Sequence, residues 1–314
     1  MLKYTAKRLL YLIPVTFCVI FIIHLIMFMT PGDPTTIILG ADATPELIAE
    51  TRAQLGLDDP FLVQFWNYVS KLVQGDFGMS YTTQRPVSER LFAAIPYTLT
   101  LSFLALALAM VVSIPLGIMA AVKQNTVWDY GCSLFAMVGV SAPTFWVGLM
   151  LMLLFSVELG WLPAAGVDTW QGYILPTVTQ AINLLAGITR TMRSSMLEVT
   201  RQDYIRTAYA KGVSRRNVLY NHALRNAIIP AVTVAGLNFG MMVAGTVAIE
   251  SVFAIPGLGR IMINAIQVRD TPTVLGSMIV LSIAITITNL VVDLVYALID
   301  PRIMAQYKSG GKKA

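Results

Sequence analysis

Six stretches of this chain, at about 9–29, 97–122, 131–157, 173–189, 227–250 and 273–299, are apolar over roughly the 20 residues that a helix needs to cross a bilayer. Such runs leave few options, because in hydrocarbon every backbone N–H and C=O must be satisfied within the segment itself. The expected fold is all-α and integral to a membrane. A charged fraction of 12% agrees, since a soluble domain carries about twice that. The first run follows Lys3, Lys7 and Arg8 as a signal peptide would. It is too long for one, no small-residue cleavage site follows, and it reads as a retained span. The fourth, "YILPTVTQAINLLAGIT", is the most polar, with Gln180 and Asn183. Pro176 and Pro230 read as first-turn prolines. Cys18 and Cys132 fall inside apolar runs and read as small buried hydrophobes.

Orientation follows from Lys and Arg. With the N-terminus inside, sixteen of the 22 fall in inner segments; Arg52, Lys71, Arg85, Arg90, Arg260 and Arg269 make up the outer six. That bias fits an even number of spans with both termini cytoplasmic, and it requires the fourth run to cross. The organisation expected is a first span at 1–30, an extracytoplasmic helical insertion at 31–95, a five-span core at 96–303 with a cytoplasmic loop at 190–226, and a basic tail at 304–314.

The insertion carries two helix signatures. "TPELIAETRAQLG" has Thr44 as N-cap, Pro45 in the first turn and Gly56 as stop, with Leu47, Ile48, Thr51 and Leu55 near one face. In "DPFLVQFWNYVSKLVQG", Asp59 reads as the cap and Phe61, Phe65, Tyr68, Val69, Leu72 and Val73 as one stripe, with Gly75 ending it. Neither polar face is strongly basic, so both helices are expected to pack on the protein rather than on headgroups.

Several chemistries find no support. No G-x-x-x-x-G-K-[ST] loop is present; "PGLG" at 256–259 lacks the lysine. Neither a catalytic constellation nor a metal-ligand cluster is legible, so no catalytic or metal residue is expected and an intramembrane enzyme is disfavoured. A transporter coupled to protons or sodium would place carboxylates near the bilayer midplane. Here His24 reads as packing, and Asp293 lies close enough to the cytoplasmic exit to snorkel. Glu250 ends the fifth run at the outer face, where a carboxylate is ordinarily solvated; it is a candidate for lining an outer vestibule.

The loop at 190–226 is the most informative segment. Its arginines alone would suit headgroups. That does not explain "DYIRTAYAKG", where Tyr204, Ala208 and Lys211 share a helical face, nor the small residues that let a helix approach another backbone. Gly212 ends that helix, and a second is expected over "SRRNVLYNHALRN" with Ser214 as N-cap. Two short helices at a turn would form a knob for a concave partner.

This loop resembles the EAA-type loop of ABC-importer permeases. Arg206, Thr207 and Ala208 hold the triplet positions, Gly212 the glycine, and His222, Leu224 and Arg225 the tail. Ala208, Gly212 and Leu224 match the general pattern, whereas Arg206 stands where it has Glu. The form "YIRTA-x-AKG … HALRNA-x-IP" resembles the peptide/nickel class of these permeases. So do "TPGDP" at 30–34, "LGLDDP" at 55–60, "GDFGMS" at 75–80, "RPV" at 85–87, "TMRSSMLEV" at 191–199, "VFAIPGLGR" at 252–260, "RDTP" at 269–272 and "NLVVDLVYALIDPRI" at 289–303, in preserved order over nearly the whole chain.

The resemblance implies an ABC importer permease fold in the bacterial cytoplasmic membrane. It implies a non-catalytic subunit that binds no cofactor itself, with ATP and Mg on two partner ATPase subunits. A second homologous permease and an extracytoplasmic substrate-binding protein would complete the assembly. Tyr204, Arg206, Thr207, Ala208 and Gly212 would contact the ATPase, Ala208 and Gly212 through their size. The cargo would be di- or oligopeptides or a related solute such as glutathione, with nickel or a metal chelate as the alternative. The segment 155–176 resembles glutathione- and nickel-type members most.

Overall fold

The computed structural model describes residues 2–40 and 43–299. The helices in chain order are α1 (Leu2–Met29), α2 (Pro34–Leu39), α3 (Pro45–Leu55), α4 (Phe61–Val73), α5 (Val87–Val122), α6 (Val127–Ser141) and α7 (Thr144–Met152). A π turn (Leu153–Glu158) and a 3-10 turn (Trp170–Tyr173) lead to α8 (Ile174–Thr200), α9 (Asp203–Ala210) and α10 (Arg215–Asn217). A second π turn (Val218–Ala223) precedes α11 (Leu224–Val252), α12 (Leu258–Gln267) and α13 (Thr271–Ile299). Among the described residues the only extended pairing is the bridge between Met79 and Pro86. The basic tail at 304–314 and Arg302 lie outside the described residues.

Among the described residues, four helices are long and apolar enough to cross a membrane: Leu10–Met29, Val87–Val122, Arg215–Val252 and Thr271–Leu294. The third run is not one straight helix. α6 and α7 meet at a 105° bend, because Pro143 offers no N–H and holds Ala142 extended at φ −78, ψ 130. α8 contains the fourth run but continues as one helix of 27 residues to Thr200, about 40 Å in all. Pro176 sits in its first turn as expected, whereas Pro230 lies inside α11.

The chain divides into two compact units, one built from the chain up to Thr98 with Pro256–Ile287, the other from Leu99–Ile255 with the described residues from Thr288 onward. In the first unit α3 starts and stops as its residues dictate. Thr44 accepts the Leu47 N–H at 3.3 Å, and Gly56 takes the left-handed φ of +66 that ends it. Yet α3 buries none of its residues. α4 does pack on the protein. Phe61, Phe65, Tyr68, Val69 and Leu72 meet Ile20 and Phe21 of α1 and Leu275 and Ile279 of α13, with edge-to-face pairs such as Phe21–Phe65 at 5.3 Å. Two details differ from expectation. Pro60, not Asp59, occupies the cap of α4, and Val73 points outward at 84% exposure. Cys18 on α1 is likewise exposed rather than buried. His24 packs among Phe61, Phe65 and Tyr68, and neither ring nitrogen has a hydrogen-bond partner.

Polar contacts knit this unit together. Arg52 bridges Asp33 at 2.5 Å and Asp58 at 2.7 Å. Burial acts to raise the Asp33 carboxyl, but hydrogen bonds from Thr35 and Arg52 outweigh it and hold it below the ordinary range. The Arg269 guanidinium donates to the carbonyls of Thr30, Pro31 and Gly32, beyond the end of α1. Asp270, 1% exposed, accepts from Ser80 Oγ at 2.5 Å, Thr273 Oγ1 at 2.8 Å and the Tyr81 N–H at 3.1 Å. Burial and the nearby Asp270 push the Tyr81 phenol up to about 12.

The second unit centres on α8 and α11. Ala223, Ala227, Ala231 and Ala235 form a fully buried stripe with Ala181, Leu184, Ile188 and Met192. Small residues at this spacing let two backbones approach, which is how helices associate in lipid. At Gly117 of α5 an added Cβ would lie 2.6 Å from Met192 Cβ and 2.9 Å from the Thr189 carbonyl oxygen, so only glycine fits.

Replacing Asp270 tests how the first unit holds its loop at 78–87. Asp270→Ala strands two buried hydroxyls and the half-buried Tyr81 N–H and is expected to lower stability by on the order of 3 kcal/mol, with faster amide exchange across 78–87; Asp270→Asn is expected to lose less. Thermal unfolding in detergent and hydrogen-exchange mass spectrometry measure both.

Candidate functional site

α9 is brought to the surface by the two helices that flank it. α8 runs out to Thr200, and after a two-residue turn α9 begins at Asp203, with Gln202 extended at φ −71, ψ 149. Ile205 and Ala208, three residues apart, face inward at 1% and 8% exposure. They join the cluster of Met192, Met196, Val218, Ala223 and Ala227. Tyr204, Arg206, Thr207 and Tyr209 face outward. Arg206 lies 3.7 Å from Asp203, but at 77% and 98% exposure that pair contributes little. The Tyr204 hydroxyl accepts from Asn226 Nδ2 at 2.9 Å, which ties the outer face of α9 to the start of α11.

Gly212 ends the helix by conformation. Its φ is +77, its N–H donates to the Tyr209 carbonyl at 2.9 Å, and the Val213 N–H donates to the Ala208 carbonyl at 3.2 Å. These two bonds are the Schellman pattern, which requires a left-handed residue at this position. An added Cβ would meet nothing within 4 Å.

The segment after Gly212 is not a second free helix. Ser214 occupies the N-cap position without a side-chain cap bond. From Arg215 the chain passes through the π turn into α11, giving 38 helical residues up to Val252. The knob is thus one short helix held between the end of α8 and the foot of α11. The surrounding cations Arg190, Arg201, Lys211, Arg215, Arg216 and Arg225 are exposed. Arg193 is not free to join them. It makes a paired contact with Asp129 of α6, Nε to Oδ1 at 2.5 Å and Nη2 to Oδ2 at 2.7 Å, with the carboxylate side chain 3% exposed. Asp129 carried no signal, since 64 residues separate it from Arg193.

Of the residues expected to act, Tyr204, Arg206, Thr207 and Gly212 stand on the exposed surface together. Ala208 is turned into its own chain, because the inward face of α9 must be small to sit on Ala223 and Ala227. Glu250 does not edge a vestibule. It is 0% exposed, for α11 continues to Val252 and the chain folds back so that the Ile255 N–H reaches the Glu250 carbonyl at 2.9 Å, with Phe253 and Ile255 buried beside it.

Apolar helices with many outward-facing apolar side chains, two of them flanking one short polar surface helix, describe an all-helical membrane subunit. Residues 1–102 match the N-terminal membrane component of binding-protein-dependent transport systems, and residues 113–305 match their inner membrane component. The chain belongs to the inner membrane components of binding-protein-dependent transport systems, and it is a permease subunit of such an importer. It is 44% identical over 303 residues to the glutathione transport system permease protein GsiC of Escherichia coli (strain K12) and to that of Salmonella typhi, covering 96% of this chain and 99% of each relative. Among solved structures it is similar to the MetNI methionine ABC transporter in an inward-facing conformation, with a TM-score of 0.56 and 17% identity over 67% of this chain and 96% of that one. An amino acid ABC transporter with histidines gives a TM-score of 0.53 and 16% identity over 68% and 94%. These two likenesses establish the fold alone. Family membership places the chain in the inner membrane as a multi-pass transport subunit and implies an ATPase and a substrate-binding protein as partners.

The two faces of α9 are expected to respond differently to truncation. Ile205→Ala removes a buried anchor and should lower stability by about 2–5 kcal/mol, whereas Arg206→Ala on the exposed face should stay within about 0.5 kcal/mol. Thermal unfolding of the purified subunit distinguishes them.

Proposed function

We propose that this chain forms half of the translocation pathway of an ATP-driven importer for di- and oligopeptides or a related small solute such as glutathione. A second, homologous permease forms the other half. One ATPase, carrying ATP and Mg, docks beneath each permease, and a binding protein delivers cargo from outside. Chemistry resides on those partners and transport geometry on this chain. The chain crosses six times with both termini cytoplasmic; the broken α6–α7 pair and α8 supply the third and fourth crossings, and 31–95 forms the extracytoplasmic insertion. The lopsided distribution of Lys and Arg supports that orientation.

The observation that carries the reading is the seating of α9. Its inward face is locked to α8 and α11 through Ile205 and Ala208, while Tyr204, Arg206 and Thr207 are left exposed. A push on that surface cannot be absorbed locally, because packed interiors shift between discrete arrangements rather than deform smoothly. It is passed to two helices that run on into the bundle. ATP-driven closure of the two ATPases would move the docked knobs together and turn the pathway from inward- to outward-facing. Cargo then enters from the binding protein and leaves inside after hydrolysis. Glutathione transport is the activity named for the 44% identical relatives, which favours cargo of short peptide character.

Gly212→Trp tests the docking. A Cβ at Gly212 meets nothing within 4 Å and the position is exposed, so the subunit should still assemble in the membrane, less stable by about 1–2 kcal/mol from the left-handed φ. Cargo-dependent ATP hydrolysis by the reconstituted complex should be abolished, while Gly212→Ala, with the same backbone strain and no bulk, retains it. Full coupled activity in Gly212→Trp would remove α9 from the ATPase interface.

A further inference from the structure

Within the second unit, α7, α8 and α11 line a half-open cavity of about 330 Å³ bordered by Thr144, Gln180, Asn183, Asn238, Met241 and Gly187, among others. A volume of this size is at the lower end of small-molecule sites. None of the residues lining it is ionisable. Instead three side-chain amides and a hydroxyl converge from three helices in a chain otherwise dominated by apolar side chains. Gln180 is 7% exposed and fixed by its Nε2 bond to the Met242 carbonyl at 2.9 Å. Asn238 is fixed by Nδ2 to the Val234 carbonyl at 2.7 Å. The wall is open at Gly187, where an added Cβ would meet nothing within 4 Å, and small at Gly245, where it would meet only Gln180 Nε2 at 3.9 Å.

The geometry points to this cavity as a transit site that recognises short peptides through their backbone amides. The inference rests on the peptide reading above and names the residues that meet the cargo. A peptide leaving water needs a donor and an acceptor for each amide it strips of hydration. Asn and Gln are the side chains that offer both without charge. A fixed charge would hold one class of cargo and repel another; a neutral amide wall accepts many side chains and lets each go. Gln180 and Asn238, each anchored by its NH₂ group to a backbone carbonyl, are held in place for the passing peptide. The open wall at Gly187 gives room for a peptide side chain.

The test uses the complete importer, with its ATPases and binding protein, in proteoliposomes supplied with radiolabelled di- and tripeptides. The series Gly187→Ala, Gly187→Leu and Gly187→Phe should reduce uptake progressively, with tripeptide uptake falling at least about tenfold further than dipeptide uptake at the bulkiest residue. Asn183→Asp, at an exposed position that leaves the core untouched, should raise the uptake ratio of a lysine-containing over a glutamate-containing dipeptide by about tenfold. Uptake that falls equally for both peptide lengths, or an unchanged charge preference, would overturn the assignment. Should Gly187→Phe fail to fold, the Asn183→Asp ratio decides alone. A wild-type complex that carries no peptide at all would instead refute the peptide reading, a result visible before any variant is made.

Discussion

Close packing between α8 and α11 is the contact on which the second unit of this molecule depends. In lipid the hydrophobic effect does not drive helices together, because tails solvate leucine as well as another helix does. Association then rests on how near two backbones can come. The stripe of Ala223, Ala227, Ala231 and Ala235 brings α11 against α8 with no side chain in the way, and Gly117 does the same for α5 at Met192. Such an interface is stiff. Many small contacts at van der Waals distance must all be broken or all be kept.

That stiffness gives α9 its meaning. A helix of eight residues has little stability of its own. It is held because Ile205 and Ala208 extend the α8–α11 core past the apolar runs, because Asn226 grips Tyr204, and because Gly212 and Val213 close its end. The two faces of α9 therefore differ: Ile205 and Ala208, which fix it, look inward, and Tyr204, Arg206 and Thr207, the proposed docking surface, look out. The Asp129–Arg193 pair adds α6 to the same elbow, so three helices converge on the point where force would be applied.

The ends of α3 and the stripe of α4 were legible because they are local. A threonine oxygen, a proline ring and a glycine φ act within one turn, and aromatic spacing on α4 declares its face. The site was legible in part for the same reason, since the left-handed φ of Gly212 favours glycine whatever lies beyond it. What could not be read was longer in range. Nothing near Ala208 says that its small face is needed by Ala223 rather than by a partner, and nothing near Glu250 says that the chain will fold back to cover it. α12 was passed over despite a sequence signal: Leu258, Met262 and Ala265, all buried, recur at helical spacing in a segment too short to cross a membrane. Likewise Pro143 announced a break in the third run that length alone concealed.

Four of the segments that resemble the peptide-class permeases have a common physical basis in the first unit. "TPGDP" supplies Asp33 and the carbonyls of Thr30, Pro31 and Gly32; "LGLDDP" supplies Asp58; "GDFGMS" supplies Ser80; "RDTP" supplies Arg269 and Asp270. These are charged or polar groups that meet one another across long stretches of sequence, outside the apolar runs. The buried contact of Asp270 with Ser80 is costly to leave half-made, whereas the more exposed pairs of Arg52 and Arg269 act mainly by fixing geometry. The motifs therefore describe how this unit is tied together rather than what it carries. Cargo recognition is proposed to lie elsewhere, at the neutral amides between α7, α8 and α11, where the exposed Asn183 can change without disturbing the bonds that fix Gln180 and Asn238.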